Sequence, residues 1–79
     1  MSNVNWDEDA CETLYRVVQR EGGNGKSPKS KAGGVIWDNI GNKLINDHRR
    51  IFGCKTPEPE RLYSKFLEVL SFFLFLIFS

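Results

Sequence analysis

Three stretches of large apolar residues, each recurring at three- and four-residue spacing around an aromatic side chain, leave this chain few ways to fold. The first contains Trp6, Ala10, Leu14, Val17 and Val18, the second Ile36, Trp37, Ile40 and Leu44, and the third Leu62, Phe66, Val69 and Leu70. That spacing gathers side chains on one side of an α-helix, whereas a half-buried strand alternates every second residue. Helices this short are marginal alone and must bury their stripes against each other. The pattern therefore predicts an all-α domain, a three-helix bundle. At 79 residues there is room for one domain, and a domain of this size buries only about 60% of its unfolded surface, so its core must be simple.

Local signals place the ends of these helices. Asn5 is suited to cap a first helix beginning at Trp6, with Glu8 completing a capping box and Asp7 and Asp9 complementing the positive helix end. Arg20 falls in its last turn and Gly22-Gly23 stops it. The segment 22–34 holds five glycines and no large apolar side chain, so nothing offsets the entropy of ordering it, and a disordered loop is expected between helices one and two. A second helix is expected from Val35 to Arg49 or Arg50, with Gly41 inside it where another helix crosses closely. Ile51 and Phe52 then tuck under the core, Gly53 turns the chain, and Thr56-Pro57-Glu58 starts the third helix with proline at its first position. On that helix Arg61, Ser64, Lys65 and Glu68 face outward.

The same residues carry a family likeness. Trp6 with Asp7, Glu8 and Asp9 and then Leu14, Trp37 followed by Ile40, Gly41 and Leu44, and Leu62-Tyr63-Ser64-Lys65-Phe66-Leu67-Glu68-Val69-Leu70, taken in order, resemble the Myb/SANT family over residues 5–70. Leu62, Lys65 and Phe66 stand where the family usually has Cys, Arg and Trp, and the interhelical connections are longer, as in its looser trihelix and zeste-type members. The resemblance implies a homeodomain-like helix-turn-helix whose third helix lies in the DNA major groove, in a nuclear regulator of transcription or chromatin. Arg61, Ser64 and Lys65 would then face base edges, while Arg49, Arg50 and Lys55, at the junction into the third helix, would hold phosphates. Glu58, Glu60 and Glu68 on or beside that helix point to an alternative, a SANT-type module that binds histone tails or another chromatin protein. Ser27-Pro28-Lys29-Ser30-Lys31 also resembles one imperfect copy of the Ser-Pro-Lys-Lys repeats of linker-histone tails; a solubilising linker is the plainer reading.

Charge is distributed unevenly. Residues 1–21 hold five acids and two bases, whereas 22–55 hold seven bases and two acids, an asymmetry compatible either with an anionic partner or with a solvated surface. Cys11 and Cys54 lie far apart and His48 is the single histidine, so neither a metal site nor a bound cofactor is expected, and in a reducing compartment both cysteines stay reduced. Gly22-Gly23-Asn24-Gly25-Lys26-Ser27 lacks the spacing and preceding strand of a phosphate loop. No nucleophile-and-base spacing is visible either, which weighs against an enzyme. Met1–Trp6 has no charged region followed by an apolar run, so no secretory signal is read there.

The segment 71–79 is different in kind. Val69 to Phe78 is apolar except for Ser71, and Phe72-Phe73-Leu74-Phe75-Leu76-Ile77-Phe78 has no polar face, yet the run is only about half the roughly 20 residues a membrane span needs. Phe, Leu, Ile and Ser all have thymine-rich codons, as in translation through an intron. The domain is accordingly expected to end near Leu70, with 71–79 an apolar tail arising from gene prediction or truncation; if present, it would promote aggregation or adsorption to membranes.

Overall fold

The computed structural model describes residues 5–53 and 58–78. They form four helices, α1 (Glu8–Glu21), α2 (Lys31–Asp47), the single turn α3 (Arg49–Phe52) and α4 (Pro59–Phe78), and no strand is present among the described residues. α1, α2 and α4 pack on one another pairwise, and α3 lies against α2 and α1. The expectation of an all-helical core built on three stripes is met. Leu14, Val18, Trp37, Ile40, Leu44, Leu62 and Phe66 are fully buried, and Ala10, Val17, Phe52 and Val69 complete the core.

The first helix starts later than expected. Asp7, not Asn5, is its N-cap, with the Ala10 amide donating to the Asp7 carboxylate at 2.9 Å. Trp6 therefore sits outside the helix as a flap. Its ring meets Phe52 edge-on at 5.7 Å, and its carbonyl oxygen lies 3.9 Å from the Cys11 Sγ. A large apolar residue just before the cap, packed near the first turn, fixes the angle at which the chain enters the helix. At the other end Gly22 takes φ +77°, and the amides of Gly22 and Gly23 both converge on the Val18 carbonyl, the closure typical of a glycine-terminated helix.

The segment 22–34 corrects the expectation of a disordered loop. Its last residues are the first turn of α2, capped by Ser30, whose hydroxyl accepts from the Gly33 amide at 3.0 Å. The same hydroxyl donates to the Ser27 carbonyl at 2.8 Å, and the Ser27 hydroxyl accepts from the Lys29 amide at 3.2 Å. Ser27-Pro28-Lys29-Ser30 is thus a capping turn rather than a free basic arm. Gly33 is buried where any Cβ would strike the Ser27 carbonyl oxygen. The decisive tie is the buried Trp37: its indole N–H donates to the Lys26 carbonyl at 2.7 Å. A buried donor without a partner would cost roughly 1–3 kcal/mol, so the indole draws the glycine-rich backbone onto the core.

Near the end of α2 the chain also departs from the expected path. The helix stops at Asp47, and His48, at φ −129° and ψ 47°, breaks the direction before α3. The break lets Phe52 swing beneath Trp6, where it is 3% exposed. Gly53, at φ +66°, then turns the chain. The expected start of the last helix at Thr56-Pro57 lies outside the described residues; α4 instead begins at Pro59, with the Glu58 carbonyl accepting from the Leu62 amide at 3.0 Å. The residue type expected at the first helical position is present, two residues downstream.

α4 does not end near Leu70. It runs unbroken through the apolar segment to Phe78, 20 residues in all, or about 30 Å. Phe73 meets Tyr15 edge-on at 5.2 Å, whereas Phe72, Leu74, Phe75, Leu76 and Ile77 are all exposed. No helix among the described residues is long and apolar enough to cross a membrane.

Candidate nucleic-acid interface

The residues expected to touch DNA separate into two groups and one exception. Arg61 and Ser64 lie exposed on α4, one turn apart, on the side opposite Leu62 and Phe66. Arg49 and Arg50 lie exposed on α3. α3 packs on α1 and α2 and makes no close approach to α4 among the described residues. Lys55, which would connect the two groups, is outside the described residues.

Lys65 is the exception and corrects the expectation that it faces outward. Only 29% of its side chain is exposed; its ammonium lies 5.6 Å above the centre of the Trp6 ring and 3.5 Å from the Glu68 carboxylate. A lysine whose ammonium sits over an aromatic face and beside a carboxylate helps to hold the Trp6 flap against α4. It is not free to reach a base edge without giving up both contacts.

The arginines behave differently. None of the ion pairs among the described residues involves Arg49, Arg50 or Arg61, whereas Arg16 pairs with Glu12 at 2.6 Å and Lys43 with Glu21 at 3.6 Å. His48, directly before Arg49, lines a small surface pocket of about 190 Å³ with Thr13, Arg16, Val17 and Arg20. His48, at the start of α3, thus sits beside two cations of α1. Counting charge in blocks along the chain conceals this, because α1 carries acids at its first turn and arginines towards its end. The available signal was the placement of Arg16 and Arg20 one helical turn apart, with Val17 beside them turned to the core.

Other chemistry is sparse. No group of three or more His, Cys, Asp or Glu side chains among the described residues is arranged so that it could hold a metal ion. Cys11 is partly buried beside Trp6, and Cys54 lies outside the described residues. His48 is partly buried at the α2–α3 break. Comparison of the chain with protein-family models, with curated proteins and with solved structures gives no match. The likeness to the Myb/SANT family accordingly rests on the three patterned stretches alone.

Proposed function

We propose that the chain is a Myb/SANT-like, homeodomain-like helix-turn-helix module of a nuclear transcription or chromatin regulator, and that it binds duplex DNA. α1 and α2 brace α4, whose outward face offers Arg61 and Ser64 to the major groove, while Arg49 and Arg50 hold phosphates. The observation that carries the reading is that these three arginines are exposed and, among the described residues, have no carboxylate ion-pair partner, on an all-helical core. Lys65 contributes indirectly, by seating Trp6 against α4.

Few phosphates are contacted by such a surface, and Glu58 and Glu60 stand beside Arg61. The expected affinity is therefore near the nonspecific range, on the order of 10⁻⁴ to 10⁻⁶ M at physiological salt. It should strengthen at low salt, because each neutralised phosphate releases counterion. The test titrates duplex DNA at two salt concentrations with the wild type and an Arg49→Ala, Arg50→Ala variant. Binding that weakens with salt and with the double substitution supports the reading. Absence of binding at low salt, or indifference to both changes, overturns it.

The acids of α4 favour a second reading, a SANT-type module that binds a chromatin protein. Glu58, Glu60 and Glu68 outnumber Arg61 and Lys65 along this helix and its approach, and Glu68 already takes up Lys65. On that reading histone-tail peptides bind in place of DNA, and Arg49→Ala, Arg50→Ala leaves their affinity unchanged.

A further inference from the structure

α4 outruns the helices it packs against. At 20 residues it is about 30 Å long, against about 21 Å for the 14 residues of α1. Its buried stripe of Leu62, Phe66 and Val69 continues at the same three- and four-residue spacing through Phe72, Phe73 and Leu76. There it is covered on one side only. Phe73 reaches Tyr15, but Phe72 is 58% and Leu76 56% exposed. Between this extension and the start of α1 lies an open groove of about 840 Å³, with Trp6, Cys11, Val69, Phe72, Phe73 and Leu76 along its apolar walls.

We propose that this groove takes a basic amphipathic helix supplied by another protein. An apolar trough between two helices, with side chains recurring at three, four and seven residues, accepts the apolar ridge of a third helix. The charge around it sets the character of that helix. Asp7, Glu8, Glu12 and Glu68 line the groove against one cation, Lys65, and Lys65 is already engaged with Glu68 and Trp6. Asp7 caps α1 and Glu12 pairs with the outlying Arg16, while Glu8 has no ion-pair partner among the described residues. The positive end of α1 opposes these carboxylates with only about half a charge.

The same charges disfavour other occupants. A second copy of the chain would bring its own carboxylates to the seam, and its apolar segment, 72–78, carries no cation to meet them. An anionic lipid surface would be repelled, and a neutral one would leave the carboxylates desolvated and unpaired. A helix with an apolar stripe flanked by lysine or arginine satisfies both the walls and the rim. This surface uses none of Arg49, Arg50, Arg61 or Ser64, so the inference stands apart from DNA binding.

The experiment uses the full chain and two synthetic helices of about 18 residues, long enough to be partly helical alone. One carries leucine at helical spacing flanked by lysine; the other replaces every lysine with glutamate. The lysine peptide should bind at least about tenfold more tightly than its glutamate counterpart, and more weakly as salt rises. Phe72→Ala and Glu8→Lys should each weaken it by roughly tenfold, the first mainly through dissociation and the second mainly through association. Both side chains are exposed, so helical circular dichroism should match the wild type for both, and duplex-DNA titration should match it for Phe72→Ala. Equal binding of the two peptides, or wild-type binding by both variants, overturns the proposal. So does self-association abolished by Phe72→Ala with the lysine peptide unbound, which assigns the groove to a second copy. Retention on phosphatidylcholine vesicles with that peptide unbound overturns it in favour of lipid.

Discussion

The segment 22–30 and the last turns of α4 reverse what their compositions promise. The first has no large apolar residue, yet follows a defined path with Gly23 buried; a Cβ there would come within 2.8 Å of Ile40 Cδ1. The second is almost wholly apolar, yet Phe75 is 68% and Ile77 71% exposed. Burial depends on what neighbouring elements offer as well as on hydrophobicity. Trp37 brings a buried N–H that needs an acceptor, and the polar backbone at Lys26 supplies one. The end of α4 brings apolar area, but α1 is too short to cover it.

Removing the shared anchor should produce the largest effect. Trp37→Ala takes away the largest fully buried side chain, its edge-on contact with Tyr63 at 5.4 Å and the tie to Lys26 together. The expected loss is about 3–5 kcal/mol, comparable with the whole stability of a small domain. Helical circular dichroism should collapse at room temperature. A variant that melts like the wild type would show that Trp37 is not central to the packing.

Trp37→Phe sharpens the comparison, because it keeps an aromatic ring and deletes the indole N–H. Lys26 is exposed, so its carbonyl can turn to water, and the expected cost is smaller, about 1–2 kcal/mol. The effect should concentrate in the segment 22–30. Trypsin should cut at Lys26, Lys29 and Lys31 faster than in the wild type, with α1 and α4 still helical. Unchanged cleavage would mean that the Ser27–Ser30 turn holds the loop without Trp37.

What could be read from the sequence follows the same division. The core positions were legible because a three- and four-residue repeat leaves its mark whatever the partners are: Leu14, Trp37, Ile40, Leu44, Leu62 and Phe66 all lie inside. The order of the loop was not, because it depends on one long-range hydrogen bond from Trp37 and on Gly33 fitting against Ser27. Those are contacts across space, with no local periodicity to announce them. The candidate interface was legible in part. Arg49, Arg50, Arg61 and Ser64 are exposed as expected, but Lys65 is drawn inward by Trp6, which was read as a core residue inside α1 and is instead the flap before it. A shift of the cap from Asn5 to Asp7 moved the tryptophan, and with it the lysine.

The smallest effect on stability should come from the most apolar region. Phe75 projects from α4 in an exposed position, so Phe75→Ser removes little packing, and serine and phenylalanine have similar helix propensity. The expected change is within about 0.5 kcal/mol, a shift of a few degrees in Tm for a domain this small. Phe66→Ser, nine residues earlier on the same helix, replaces a fully buried ring with a hydroxyl and should unfold the chain. Solubility should move the other way, because Phe75 contributes to an exposed apolar patch and its loss should delay aggregation as concentration rises. Thermal melts of the two variants at low concentration, with light scattering on the first, make the comparison. A loss of more than about 2 kcal/mol on Phe75→Ser would mean that the end of α4 is covered in solution, and a dependence of that loss on protein concentration would identify the cover as another copy of the chain.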